Sequence, residues 1–434
     1  MNTGIRNKLF LMMVLEFFIW GAWLPLIFGY LPAMGLSEGE QTLILSAFPV
    51  AAIIGMFFSN QFADRNFAAE KFMAFSHFVG GLAMAGLAFV KFSRPELAAG
   101  QTAVSLYDGA FWLFFGLMAL HCLLYVPTIS IANSIAFSHM KSADKEFGIV
   151  RMGGTVGWIL AAWPIAYILH GKPAEQIISA TGNIFIISGV ASLVLALFSL
   201  TLPHTPANKA AGSDNLAWLK ATKLLAIPAI LILFIATFID ATIHNGYFVM
   251  AGGFIGKVLT ASNIDPAWTT VVMSIGQVAE ILTMIILGGV LAKLGWRTTL
   301  VLGILGHTAR FLVFAYCPTA TWLIIVVQLL HGVCYAFFFA TVYIYIDAVF
   351  PKDIRTSAQG LFNFLILGVG DLAAKLIFIP LSSKYITGTG FEGYRQLFLV
   401  PVLMSLGAAV LLALFFRPVT RRPETNLAAG AAPH

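Results

Sequence analysis

Long apolar runs separated by short polar segments repeat along almost the whole chain. Each run is close to the roughly 20 residues that a helix needs to cross the hydrocarbon core of a bilayer. Twelve runs are found, at residues 9–31, 42–62, 71–91, 109–138, 149–170, 180–201, 224–251, 267–292, 298–317, 321–349, 357–382 and 395–416. The pattern predicts an all-α integral membrane protein with 12 transmembrane helices.

The longest polar stretch follows the sixth run and divides the runs into two sets of six. Parallel six-helix halves around a midplane site are a common transporter plan. We predict an N-terminal six-helix half over 1–201, a cytoplasmic linker over 202–223, a C-terminal six-helix half over 224–416 and a cytoplasmic tail over 417–434.

Composition agrees with this organisation and excludes a soluble enzyme. Hydrophobic residues make up 59% of the 434 residues and charged residues 10%, whereas soluble domains have about 45–50% and 25%. The net charge of +6 does not indicate nucleic-acid binding, because the basic residues are scattered among apolar runs. If both termini are cytoplasmic, 16 of the 25 Lys and Arg residues lie inside and 6 outside. This bias predicts cytoplasmic termini.

Motifs of catalysis and of metal binding are missing from the sequence. It contains no phosphate-binding loop, nucleophile elbow or metal-ligand cluster. The cysteines Cys122, Cys317 and Cys334 lie in or beside apolar runs, without metal-binding spacing. We therefore expect a carrier that is ion-coupled or passive, not an enzyme, with no cofactor and no metal.

Charged residues inside the predicted spans are candidates for function, because inserting one costs about 2.5–3.5 kcal/mol. Glu16 in the first span can carry a proton, contact a substrate or make a structural hydrogen bond to another helix. Asp371 and Lys375 are four residues apart and can neutralise each other. His307 and Arg310, three apart in the ninth span, favour a structural role.

One polar face is predicted on the fifth span. Arg151, Thr155 and Trp158 have the spacing of one helix face. They offer a charged donor, a hydroxyl and an aromatic plane, which suit a polar ligand that contains a ring. Neighbouring glycines allow close backbone approach. The alternative is an arginine at the cytoplasmic end of the helix that contacts lipid headgroups.

A second polar face is predicted on the eighth span, where Gln277 and Glu280 are three residues apart. An amide beside a carboxyl group can bind hydroxyls or base edges, and the carboxyl can carry a proton. Interhelical hydrogen bonding is the alternative. In the tenth span Tyr335 can stack on a ring, whereas His331, one turn earlier, favours a structural hydrogen bond.

The seventh span is too polar to face lipid throughout. Five polar side chains occur within eight residues, and some of them must line a cavity. Asp240 and His244 are four apart and can pair. The five are Asp240, Thr242, His244, Asn245 and Tyr247.

Several motifs are similar to those of the bacterial nucleoside:proton symporters of the major facilitator superfamily. Basic loops after the second and eighth runs, Phe62 to Arg65 and Gly289 to Arg297, resemble the loops of that superfamily. The resemblance covers essentially the whole chain and implies the major facilitator fold. Its clearest motifs are FxIWGAWL (17–24), YVPT (125–128), RMGGTVGW (151–158), TLPHTP (201–206), MSIGQVAE (273–280), RFLVFAY (310–316) and IRTSAQGLF (354–362).

This resemblance implies a substrate site on the fifth, seventh, eighth and tenth helices. Trp158 and Tyr335 stand where the family has phenylalanine, so an aromatic ring is kept at both positions. The matching polar residues are Arg151, Thr155, Asn245, Gln277 and Glu280.

Three residues depart from the family pattern. Thr242 stands where a glutamine is expected in the site, which removes a long amide. Ala336 replaces an aspartate that can carry the proton, and Glu16 replaces a glutamine. The proton-coupling candidates are therefore Glu280 and Glu16, and the alternatives are weakened coupling or a different substrate.

The resemblance implies proton-coupled uptake of purine or pyrimidine nucleosides by alternating access. We expect a monomer in the bilayer of the bacterial cytoplasmic (inner) membrane, with no nucleic-acid partner. The alternatives are a carrier for a sugar or another polar metabolite, an exporter, or a transport-dead sensor or membrane enzyme.

Overall fold

The structure is a computed structural model that describes residues 3–58, 66–95, 97, 101–140, 143–207, 222–350, 352–388 and 390–419. Within these ranges the regular secondary structure is helical and contains no strand. Nine helices of the described part are long and apolar enough to cross a membrane, and helical segments coincide with all twelve predicted runs. Most of the predicted linker, the tail from residue 420 and the loop at 62–65 lie outside the described residues.

The described part of the predicted N-terminal half contains eight α-helices, and two of its spans are interrupted by a break of one residue. They are α1 (Thr3–Ala33), α2 (Glu38–Leu45), α3 (Ala47–Phe58), α4 (Ala69–Leu87), α5 (Gly109–His139), α6 (Ala143–Leu169), α7 (Ala174–Thr181) and α8 (Asn183–Ser199).

The described part of the C-terminal half also contains eight α-helices. Two π-helical turns, Tyr335–Ala340 and Phe364–Val369, interrupt its tenth and eleventh spans. The α-helices are α9 (Pro228–Ala261), α10 (Thr269–Tyr316), α11 (Thr321–Val326), α12 (Leu330–Cys334), α13 (Thr341–Val349), α14 (Lys352–Asn363), α15 (Gly370–Tyr385) and α16 (Glu392–Phe415).

The 48-residue helix α10 covers the eighth and ninth predicted runs. Its continuity is broken at Gly295, which has a φ of 69°. Glycine adopts this left-handed conformation without the steric cost of a Cβ atom. The glycine of the predicted basic loop therefore ends one span and begins the next.

Glycines on α6 set the distance between α6 and α1. A methyl group at Gly157 would overlap the carbonyl oxygen of Val14, and one at Gly153 would lie 2.5 Å from the carbonyl oxygen of Phe10. Small residues allow two helix backbones to approach this closely in a membrane. The predicted close approach is confirmed, and it fixes the polar face of α6 beside α1.

The two halves contact each other on the side of the molecule where α1 ends and α16 begins, called here the far side. His170 Nδ1 lies 2.7 Å from the Asp265 carboxylate, which also accepts a hydrogen bond from the Gly171 amide at 2.9 Å. Nearby, Thr270 donates to the carbonyl oxygen of Ala162 at 3.2 Å. The far side is therefore held together by polar contacts between the halves.

Candidate substrate-binding site

The polar faces predicted on the fifth and eighth spans meet between the halves. The Thr155 hydroxyl is hydrogen-bonded to the Glu280 carboxylate, and Arg151 lies close enough for its charge to act on Glu280. The same two charged groups act on the Tyr335 hydroxyl. All four side chains are partly buried. Residues from α6, α10 and the tenth span thus form one polar site.

Arg151 is held against α1. Its guanidinium carbon lies 4.3 Å from the ring centroid of Phe17, the geometry of a cation–π contact. Gly154 leaves the necessary room, because a methyl group there would overlap Arg151 and approach Phe17 within 2.7 Å. The arginine is thus packed within the protein, as the functional interpretation requires, and not at a lipid-facing position.

Aromatic rings from both halves lie beside this polar site. The Trp158 ring is edge-on to Trp20, at 5.4 Å between centroids, and 5.7 Å from Phe248 of α9. Tyr335 lies 6.2 Å from His244 and begins a π-helical turn. Such turns are frequent at functional sites. Flat surfaces for ring stacking are therefore available next to the charged groups.

Asn245 and Thr242 have different hydrogen-bonding capacity. The Asn245 amide donates to the carbonyl oxygens of Ala241 at 2.9 Å and Ile366 at 3.1 Å, so its nitrogen is committed to the backbone. Its oxygen remains as an acceptor. Thr242 is buried, and its hydroxyl donates to the Phe238 carbonyl oxygen at 2.8 Å within the same helix.

The predicted pairing of Asp240 with His244 is wrong. Within the part of the chain that the structure describes, the two Asp240 oxygens have no hydrogen-bond partner, and Nδ1 of His244 has none either. His307 Nε2 lies 3.6 Å from one Asp240 oxygen. A spacing of four residues brings two side chains to one helix face, but here Asp240 turns towards the ninth span.

Arg310 connects three spans of the C-terminal half. Its guanidinium donates to His331 Nδ1 at 2.9 Å and to His307 Nδ1 at 3.1 Å. His331 Nε2 in turn lies 3.3 Å from the Gln277 amide. We call these four residues and Asp240 the Arg310 cluster. His307 and Arg310, for which we predicted a structural role, are in contact, but no sequence pattern indicated the links to His331 and Gln277.

Glu16 belongs to a separate buried network in the N-terminal half. Its Oε2 lies 2.9 Å from His77 Nε2, and its Oε1 accepts a hydrogen bond from Thr128 at 2.8 Å. Nδ1 of His77 lies 3.0 Å from the Ser192 hydroxyl. We call these four residues the Glu16 cluster. Its contacts are the interhelical hydrogen bonds that were one of the predicted alternatives.

Asp371 and Lys375 of α15 form the expected ion pair. The Lys375 ammonium also lies 5.9 Å from the ring centroid of Phe28 in α1. This pair neutralises its own charge, so it adds no free carboxylate to the site.

The larger of two described cavities lies on the far side, not at the residues predicted to bind substrate. It has a volume of about 860 Å³ and is lined by both halves. A second cavity of about 90 Å³ is lined by residues of α3, α5 and the eleventh span. Polar and aromatic residues of the large one include Ser37, Gln41, Tyr107, Ser382, Ser383 and Tyr394.

The chain is similar in sequence to known nucleoside transporters. A profile described as nucleoside H+ symporter matches residues 1–421. The putative nucleoside transporter YegT of Escherichia coli is 31% identical over 84% of this chain and 81% of its own length. The xanthosine permease of the same organism is 26% identical over 95% of each chain.

Solved transporter structures share the fold. The nucleoside transporter NupG superposes with a TM-score of 0.79 at 22% identity, over 96% of this chain and all of its own. A D-xylose-proton symporter gives 0.67 at 14% identity, over 95% and 98%. The predicted major facilitator fold is confirmed.

Proposed function

The chain belongs to the nucleoside H+ symporter family, and we propose that Glu280 carries the proton that drives nucleoside uptake between its two halves. Membership of this family makes the chain a multi-pass membrane protein that transports nucleosides together with protons. Its location in the bacterial cytoplasmic membrane, its cytoplasmic termini and its monomeric state are part of the proposal.

The contact of Glu280 with Thr155 and Arg151 supports this role, because it crosses from one half of the molecule to the other. An ionised Glu280 attracts the Arg151 guanidinium and accepts the hydrogen bond of Thr155. Protonation removes the negative charge and weakens that attraction. A proton on Glu280 therefore changes the balance between arrangements of the halves, as coupling requires.

Substrate groups can be assigned to the remaining side chains. Arg151, Thr155 and Glu280 would bind ribose hydroxyls, since they offer both donors and an acceptor. The Asn245 oxygen would accept one further hydrogen bond. Trp158 and Tyr335 would stack on the base, Gln277 would bind the base edge, and Thr242 would line the site with a small side chain.

Glu16 is the weaker candidate for the proton site. Both of its carboxylate oxygens already have partners, and the residue is fully buried. A proton on Glu16 would change bonds within the N-terminal half only, and not between the two halves. For alternating access, we assign the far side to the cell exterior. The halves would separate there to open the site and close it again through the His170–Asp265 contact.

Uptake into proteoliposomes tests this proposal. Labelled uridine and adenosine are offered with and without an inward proton gradient. The unmodified protein should accumulate at least one of them only with the gradient. Glu280→Gln should lose accumulation but retain exchange of nucleoside across the bilayer, because the amide imitates the protonated carboxyl.

Glu16→Gln is the matched control, and it should still accumulate nucleoside. Accumulation by Glu280→Gln at the rate of the unmodified protein would place the proton site elsewhere. Uptake of neither nucleoside by the unmodified protein would reject the transport proposal itself.

A further inference from the structure

The Arg310 cluster fixes the proton positions on two histidines. A guanidinium group has donors and no acceptor. Because Arg310 bonds to Nδ1 of both His307 and His331, those two nitrogens must accept. Each imidazole is therefore neutral and carries its proton on Nε2.

This assignment determines how Gln277 is oriented. Nε2 of Gln277 stands 3.3 Å from Nε2 of His331, and two N–H groups cannot bond to each other. Amide oxygen and nitrogen have nearly the same shape, so the bonded form is the one rotated by 180°, with the oxygen towards His331. The NH₂ group of Gln277 then occupies the opposite end of the amide.

As placed, the Gln277 oxygen at that end accepts no hydrogen bond from the described residues, although Gln277 is only 6% exposed. After the rotation the NH₂ group stands at this position. A buried polar group without a partner costs about 1–3 kcal/mol. A ligand with an acceptor atom at this point removes that cost. A ligand that places its own N–H group there forms no hydrogen bond with Gln277, because both groups are donors.

The surroundings indicate which part of a nucleoside lies at this amide. The His331 ring is 5.0 Å from His244 and 6.2 Å from Phe248, so flat rings surround the Gln277 end of the site. The charged groups that suit ribose hydroxyls lie at Glu280, about one helix turn further along α10. The base edge therefore falls at Gln277.

We propose that Arg310 and His331 are positioning residues that make Gln277 a hydrogen-bond donor only, so that the carrier selects nucleosides whose base edge presents a carbonyl oxygen over those that present an amino group. The inference rests on the proposed function. It predicts that uridine is preferred to cytidine and inosine to adenosine when C4 of the pyrimidine or C6 of the purine faces Gln277. In each pair the carbonyl oxygen at that carbon becomes an amino group, while the adjacent ring nitrogen changes from a donor to an acceptor.

Competition for labelled uridine uptake by the unmodified protein is the first measurement. Unlabelled uridine should compete better than cytidine, and inosine better than adenosine, by about tenfold or more, because the wrong partner leaves a buried donor unpaired. Equal competition within both pairs, with uptake intact, overturns the inference and leaves the proposed function standing. Failure of all four to compete or be taken up rejects both.

Variants test whether His331 sets this preference. In His331→Phe the Gln277 amide loses its fixed partner and can rotate, so the ratio within each pair should fall towards one. Gln277→Glu places an acceptor at the base edge and should reduce or reverse the ratio. His121→Phe is the control, because His121 is a buried histidine bonded to the Gly80 carbonyl oxygen in the other half.

His121→Phe can change the amount of uptake but should keep the ratio within each pair. If the role of His331 were purely structural, His331→Phe would keep that ratio as well. An unchanged ratio in His331→Phe overturns the positioning role. If His331→Phe does not fold, an unchanged ratio in Gln277→Glu also overturns the inference.

Discussion

The two buried polar clusters of this transporter differ in how completely they are bonded. In the Glu16 cluster, both carboxylate oxygens and both ring nitrogens of His77 have partners on other helices. In the Arg310 cluster, both oxygens of Asp240 and one end of the Gln277 amide have none within the described ranges. Each cluster links several spans through histidine, so composition alone does not distinguish them.

This difference indicates that the Glu16 cluster serves helix packing, whereas the Arg310 cluster has groups free to bind a ligand. A fully bonded network rigidifies its helices, and a ligand can enter it only by breaking an existing bond. Buried polar groups without partners are uncommon in native proteins and require an explanation. At Gln277 the explanation that we propose is a ligand that supplies the missing bond, whereas the N-terminal cluster needs none.

Among the variants that test this comparison, replacing Arg310 should have the largest effect on stability. Arg310→Met leaves two buried histidine acceptors unbonded and removes the positive charge that faces Asp240. The expected loss of stability is about 3–5 kcal/mol, measured by thermal or denaturant unfolding in detergent. Arg395→Met is the control, because Arg395 is half exposed and 3.9 Å from Glu392. Equal stability of the two variants would show that the cluster does not hold the spans together.

Glu16→Gln should have a smaller effect. The amide oxygen can still accept from Thr128, and the NH₂ group can donate to His77, so we expect a loss of about 1 kcal/mol in unfolding free energy. Gradient-driven uptake should persist. A folded Glu16→Gln protein without gradient-driven uptake would contradict the comparison, since the closed cluster would then contain a proton site.

Weakening the exposed His170–Asp265 contact between the halves should have the smallest effect on stability. Burial raises the pKa of Asp265, but hydrogen bonds from the Gly171 and Ala267 amides and from His170 outweigh it, so the pKa is lowered. The carboxylate therefore supports the contact above its usual pKa, and the support is lost as the pH falls through the lowered value.

Asp265→Asn should weaken this contact by less than about 1 kcal/mol, because His170 is largely exposed. The measurement is hydrogen exchange of the Gly171 amide, corrected for intrinsic rates, which should become a few times faster. Glu392→Gln, at an exposed pair within one helix, should leave it unchanged. An unchanged rate in Asp265→Asn would show that the halves are held by other contacts.

Much of the fold follows from the apolar runs. The run at 321–349 coincides with the helical segment Thr321–Val349, and the glycine of the basic loop divides α10. The first span is longer than its run, because a helix continues beyond the hydrocarbon core where its side chains become polar. The π-helical turns at Tyr335–Ala340 and Phe364–Val369 have no periodic signal in the sequence.

The site was predictable in its parts. Spacing along one helix placed Arg151 with Thr155 and Gln277 with Glu280, but only packing brings the two faces together. Asp240 and His244 show the limit of such reasoning, because spacing does not determine the direction in which a side chain turns. The bond between Arg310 and His331 joins two spans and lies beyond any local pattern.

The pair formed by Trp20 and Trp158 has an optical consequence. The two indoles are 5.4 Å apart and edge-on, and Trp158 lies beside the proposed base. A purine or pyrimidine that stacks on Trp158 would change the emission of this pair. The transporter thus contains an intrinsic fluorophore at its proposed ligand site, with which occupancy could be followed in real time on unlabelled protein.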